Sequence, residues 1–172
     1  MRLLLLATSM LLFTSITSFA QDKTMMPAVH AGIIGPGCTN CGIMTGVGAS
    51  FGYALHEKIA ATVSADFYSD KDVVLGITAK TSVAAFGLSG EFYPKEALKG
   101  FFIGPDVLFI TTATDLNGAT IFETNDLTVG GRLGWVITIG ELVKFVPYMG
   151  YGTWYDNSKG RGIFGMKVAV GL

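Results

Sequence analysis

Leu127-Thr128-Val129-Gly130-Gly131-Arg132-Leu133-Gly134-Trp135-Val136-Ile137-Thr138-Ile139 is the stretch that decides the fold. Leu127, Val129, Leu133, Trp135, Ile137 and Ile139 share one face, with Gly131 as its gap. Thr128, Gly130, Arg132, Gly134, Val136 and Thr138 share the other. A period of two describes a strand with one apolar side. A helix is the poorer reading, because each interior glycine costs about 1 kcal/mol relative to alanine.

The same alternation recurs on both sides of this stretch. Ile43, Thr45, Val47, Ala49, Phe51, Tyr53 and Leu55 alternate with glycine and other residues, mostly small. Ile59, Ala61, Val63, Ala65 and Phe67 oppose Ala60, Thr62, Ser64, Asp66 and Tyr68. Phe164, Met166, Val168, Val170 and Leu172 oppose Gly165, Lys167, Ala169 and Gly171. Strand segments fall at about 28–36, 42–54, 59–68, 82–93, 100–112, 126–139, 145–155 and 163–172. Most reach the roughly 9–11 residues that a tilted strand needs to cross a bilayer.

The connections alternate in kind. Segments 56–58, 94–99 and 140–144 are short and charged, whereas 69–81, 113–125 and 156–162 are longer and polar. An even number of strands with short turns at one end and longer loops at the other is the layout of a transmembrane barrel. Aromatic residues collect near both ends: Tyr53, Phe92, Tyr93, Phe101, Phe102, Phe145 and Tyr148 by the short turns, Phe67, Tyr68, Phe109, Trp154, Tyr155 and Phe164 by the long loops. Two aromatic girdles are expected at the two membrane interfaces.

Composition agrees with this reading. Of 172 residues, 50% are hydrophobic, 23 are glycine and only 15% are charged. Such a chain is too apolar and too weakly charged to be disordered. A net charge of −1 gives no footprint for nucleic acid. The longest uncharged run after the N-terminus, 24–56, is interrupted by glycines and by Gly35-Pro36-Gly37, so it does not read as a membrane helix. Arg2, the apolar run from Leu3 to Phe13, and Ser18-Phe19-Ala20 form a secretory signal peptide over 1–20, leaving 21–172 as the barrel domain.

These features resemble the small eight-stranded bacterial outer-membrane barrels of the OmpA-transmembrane-domain, OmpX and OmpW-like group. The resemblance covers the whole mature chain. It is most particular in Phe92-Tyr93-Pro94-Lys95-Glu96-Ala97-Leu98-Lys99-Gly100-Phe101-Phe102-Ile103-Gly104-Pro105, which is similar to the central hairpin of such barrels. The chain departs from the group at its end, Val170-Gly171-Leu172, where an aromatic residue is common. The resemblance implies an all-β, up-and-down antiparallel barrel in the outer membrane with both termini in the periplasm. It implies membrane integrity, adhesion or host interaction as roles. A narrow channel or a carrier of small hydrophobic compounds is the alternative. A secreted, soluble lipocalin-like barrel would instead point the greasy faces inward.

If the apolar faces meet lipid, the charges left inside strands face the lumen. They are Asp66, Glu91, Asp106, Arg132 and Lys167, with His30 a further candidate on the first strand. An eight-stranded barrel is only wide enough for side chains to fill it. The expectation is a polar plug of mutually paired charges, structural in the first place and a gate in the second.

Cys38-Thr39-Asn40-Cys41 is a CxxC followed by a strand rather than a helix, which disfavours thioredoxin-like chemistry. A zinc site needs further ligands, and His30 and His56 are the only histidines. A disulfide between Cys38 and Cys41, or two free thiols, at an extracellular hairpin tip is the simpler reading. No nucleophile-elbow, HExxH, P-loop or dinucleotide motif is present. The expectation is therefore no enzyme, no cofactor and no metal. The expected partners are outer-membrane lipid and an extracellular molecule met through 69–81 and 113–125, with no nucleic acid, by a monomer.

Overall fold

The computed structural model describes residues 25–35, 43–74, 77–154 and 160–171. The signal peptide expected over 1–20 and the Cys38/Cys41 pair lie outside the described residues. Eight antiparallel strands close into one barrel in sequence order: β1 (Met25–Ile34), β2 (Met44–His56), β3 (Ile59–Val74), β4 (Ile77–Phe92), β5 (Gly100–Leu116), β6 (Ala119–Ile139), β7 (Val143–Trp154) and β8 (Gly160–Val170). The seam is β1 on β8, paired from Ala28↔Ala169 to Ile34↔Ile163. Closure leaves no open sheet edge, which is the condition for a β-structure to sit in lipid.

Alternation sorts the residues as the period of two requires. Val47, Val63, Phe86, Leu88, Val129, Trp135 and Met166 are exposed on the outer wall, several of them more than half so. This arrangement rules out the lipocalin-like alternative, whose apolar faces would be buried. The inner face carries His30, Thr62, Ser89, Glu91, Asp106, Thr128, Arg132, Lys144 and Lys167, all buried.

Three sequence expectations are corrected. Segments 69–81 and 113–125 are not loops. β3 and β4 stay paired as far as Val74↔Ile77, and β5 and β6 as far as Leu116↔Ala119. The second hairpin turns at Asn117 and Gly118, both at positive φ (50° and 88°), the backbone of a tight two-residue hairpin turn. Secondly, Tyr68, Tyr93, Phe102 and Tyr148 do not belong to the girdles: they point into the barrel, and the first three are almost fully buried. Thirdly, Lys144 is not part of a solvated turn but lies inside β7 with its side chain buried.

Candidate functional site

The lumen is the first place to look for a site, and it is stacked in three layers. Nearest the short turns, Met26, Ala28, Tyr93, Leu98, Phe102, Val136, Val146 and Ala169 form an apolar cluster. Nearest the long hairpins, Ile34, Met44, Tyr68, Val83, Ala85, Leu108 and Ile110 form a second. A polar layer lies between them. Along β1 the order reads Met26 and Ala28, then His30, then Ile34; along β5 it reads Phe102, then Asp106, then Leu108 and Ile110.

The lower apolar layer is closed by the β4–β5 turn. The Tyr93 N–H donates to Lys58 O (2.8 Å), and the Ala97 N–H donates to Glu57 O (2.7 Å), which tucks residues 93–99 under the barrel. Leu98 adopts a left-handed backbone (φ 59°), uncommon for a residue with a side chain, and is fully buried as a stopper. Lys144 Nζ donates to the Leu98 carbonyl at 3.3 Å from the opposite wall. Glu96 and Lys99 pair on the exposed side of the turn (2.5 Å).

In the polar layer the Arg132 guanidinium pairs with Asp106 at 2.7 Å, and Ser89 donates to the same carboxylate oxygen at 2.8 Å. His30 Nε2 contacts Asp66, toward which the Tyr68 hydroxyl also points at 3.4 Å. Glu91 lies lower and accepts from the Tyr93 hydroxyl at 2.6 Å, not from a base. Lys167 is 2% exposed, and its ammonium lies 5.1 Å from the centre of the Tyr148 ring. Arg132 approaches the same ring at 6.0 Å. Of the five sequence-assigned charges, the structure thus joins only Arg132 and Asp106 in a direct ion pair. His30, the further candidate on β1, joins the interior too, and so does Lys144, which the sequence reading places in a turn; its inward parity on β7 could have found it.

A void of about 20 Å³ remains in this layer, lined in part by His30, Asp66, Arg132, Tyr148 and Lys167. A second of about 10 Å³ lies between Asp106 and Thr128, toward the hairpin end. Each has room for about one water molecule. Among the described residues, no group of three or more His, Cys, Asp or Glu side chains is placed to hold a metal. His56 is exposed beside a short turn, and His30 is buried against Asp66, so neither stands at an accessible nucleophile.

Outside the lumen, four strands outrun their neighbours. β2 leaves β3 after Thr45↔Ser69, and β7 joins β6 only from Thr128↔Trp154. Beyond those pairs 70–74, 77–81, 111–116 and 119–127 continue as one sheet. At about 3.3 Å per residue this sheet rises well clear of a membrane-spanning wall. Side-chain hydrogen bonds stiffen it: Thr111 to Asn125 (2.7 Å) and Thr120 to Asp115 (2.7 Å).

No family model matches the chain, and neither does any curated protein. Solved structures do match in fold. Neisserial surface protein A is 16% identical, with 88% of this chain and 98% of that one covered and a TM-score of 0.64. Ail, the attachment invasion locus protein of Yersinia pestis, in complex with the heparin analogue sucrose octasulfate, is 6% identical, with 86% and 95% covered and a TM-score of 0.60. The outer membrane protein OprG from Pseudomonas aeruginosa is 12% identical, with 86% and 92% covered and a TM-score of 0.53. Barrel closure, the outward apolar wall and this shared architecture define the fold: a closed, eight-stranded, up-and-down β-barrel with an apolar outer wall, the architecture of these small outer-membrane proteins.

Proposed function

We propose that the protein is a non-catalytic surface barrel, directed to the outer membrane by a cleaved signal peptide over 1–20, whose working part is the projecting sheet of β3 to β6. The observation that carries this reading is the contrast between a lumen filled in three layers and a sheet that extends beyond it. A filled lumen supports neither of the alternatives, a channel or a carrier of hydrophobic compounds. The two voids hold about one water each, and apolar side chains close the interior above and below the polar layer.

The projecting sheet has its own chemistry. It carries Asp70, Asp72, Asp115, Glu123 and Asp126 against Lys71 and Lys80. The excess of acid disfavours a polyanionic partner of the kind bound in the Ail complex, and favours a neutral or basic one. Ile77, Leu116, Ile121 and Phe122 are exposed near its tip and supply apolar contact.

The test is to display, on bacteria, the natural protein and a version in which 114–124 is replaced by an Asn-Gly turn. Adhesion to host cells and matrix proteins is measured, together with planar-bilayer conductance. Loss of adhesion with negligible conductance in both proteins is expected. Equal adhesion, or a sustained conductance in the natural protein, would overturn the proposal.

A further inference from the structure

Above the wall the projecting sheet has two edges, and they are built differently. β2 leaves β3 after Thr45↔Ser69, which bares 70–74, and β7 joins β6 only from Thr128↔Trp154, which bares 119–127. The β3 edge is five residues long, and three of them, Asp70, Lys71 and Asp72, are charged. Short edges guarded by charge, lysine above all, are how native sheets keep other chains from pairing with them. The β6 edge is nine residues long, Ala119-Thr120-Ile121-Phe122-Glu123-Thr124-Asn125-Asp126-Leu127, and contains neither lysine nor proline. A bulge at Ile121 separates Thr114↔Phe122 from Asp115↔Thr120, so 122–127 runs unbroken to the wall. Among the described residues it pairs with β5 on one side and with no strand on the other. Every second residue of such a strand turns its N–H and C=O to the open side.

Side chains along this edge select what can pair with it. Glu123 shares the outward parity of Leu127, and Asp126 shares the inward parity of Phe122 and Thr128. Neither acid is in an ion pair among the described residues, and neither β5 nor 119–127 contains Lys or Arg. Lys71 and Lys80 lie beyond β5, on β3 and β4, and Lys80 stands opposite Asp115. The edge is therefore acidic on both of its faces. Phe122 and Leu127 bound the run, 55% and 47% exposed. Opposite charges, and aromatic or apolar residues beside β-branched ones, stabilise a ladder when they stand directly across it.

We infer that the β6 edge at 122–127 is a strand-addition site for an extended basic segment of a partner protein, which continues the sheet antiparallel to β6. The segment reads apolar–basic–x–x–basic–apolar, with its apolar residues across from Leu127 and Phe122 and its basic ones across from Asp126 and Glu123. Main-chain hydrogen bonds supply the affinity, and the alternate side chains supply the selectivity. Such a segment is the partner of the projecting sheet only if that sheet is the working part of the protein, as proposed.

A capped peptide with the core Val-Lys-Thr-Thr-Lys-Val is the probe, titrated by fluorescence anisotropy onto the full chain in phosphatidylcholine nanodiscs. One peptide should bind per protein. Glu123→Lys/Asp126→Lys should weaken binding about tenfold, as two cross-strand pairs turn from attraction to repulsion. A peptide with glutamate in place of its lysines should then prefer that variant to the natural protein. N-methylation of alternate residues blocks one edge of the peptide at a time, so one methylated form should bind and the other should not. No binding of the unmethylated peptide, equal behaviour of the two methylated forms, or equal affinity for the natural and charge-reversed proteins would overturn the inference. So would protection of every amide over 122–127 in the protein alone, the sign of an edge already covered by a second copy or by 155–159. Adhesion that falls when 114–124 is replaced, while the peptide fails to bind, refutes strand addition alone; adhesion that survives the replacement refutes the surface role instead.

Discussion

Replacing Arg132 by methionine should be among the most damaging single changes in the wall. The guanidinium and the Asp106 carboxylate are buried together, with side chains 6% and 8% exposed, and they meet at 2.7 Å. Without Arg132, Asp106 keeps Ser89 as its donor at 2.8 Å and loses its counter-charge inside the barrel. Removing one partner of such a pair costs about 3–5 kcal/mol, because a buried charge is left uncompensated. The adjoining void has room for about one water, which can donate to the stranded carboxylate and offset part of this cost. The loss should therefore fall toward the lower half of that range, about two to three orders of magnitude in the folding equilibrium. Urea-driven unfolding in lipid vesicles, followed by tryptophan fluorescence and by heat-modifiable gel migration, reads this directly. The companion protein Arg132→Met/Asp106→Leu removes both charges and should recover most of the loss, since apolar replacement of a buried pair is often neutral. A single variant within about 1 kcal/mol of the natural protein, or a double variant no better than the single one, would refute the reasoning.

Three further outcomes follow from the same geometry. Tyr93→Phe removes the hydroxyl that donates to buried Glu91 at 2.6 Å, and vesicle unfolding should show a loss of about 1.5–3 kcal/mol, typical of a hydrogen bond to a charged group. Leu88→Arg places a guanidinium on the apolar outer wall, at a position 56% exposed; it should cost about 2–4 kcal/mol in a bilayer if the wall is membrane-spanning, and nearly nothing if it faces water. Gly104→Ala would set a methyl group about 2.8 Å from the Gly90 carbonyl carbon and 3.1 Å from Glu91 Cα, so the β4–β5 seam must part there. Amide exchange should accelerate in both strands, and unchanged protection would count against the close approach.

How much of this was legible beforehand depends on which solvent each residue meets. Lipid on one side and packed side chains on the other produce an alternation that survives in sequence, and β6 from Leu127 to Ile139 carries it plainly. Above the membrane both faces of a strand are wet. Residues such as Ser69-Asp70-Lys71-Asp72 and Thr111-Thr112-Ala113-Thr114 then show polar beside polar, and nothing in their pattern separates a long hairpin from a loop. The misassigned aromatics have a different origin. Tyr68 shares its parity with Asp66, and Tyr148 with Val146 and Lys144, so alternation pointed them inward while position near a strand end suggested a girdle. Parity was the stronger physical argument, because a strand cannot turn one side chain out of step without a bulge. The inward direction of Asp66, Glu91, Asp106, Arg132 and Lys167 could be read from alternation, but the partners of each could not. Partnership depends on register between strands, which sequence alone left free.

Register also explains what the many glycines do. Across each ladder, large inward side chains lie beside a glycine: Tyr68 opposite Gly46, Asp66 and His30 on either side of Gly48, Leu108 opposite Gly87, Phe102 and Tyr148 on either side of Gly134, and Tyr148 again opposite Gly165. A Cβ at Gly134 would stand about 2.6 Å from the Phe102 ring, and one at Gly165 about 2.5 Å from Tyr148. Each glycine therefore vacates the volume that its neighbour's ring, carboxylate or imidazole fills. A narrow barrel can hold such bulky groups only by omitting side chains beside them, and once they are in place little open lumen remains. The composition that puts apolar residues on the outside thus also closes the inside, and surface that can meet a partner is left chiefly on the strands that continue past the wall.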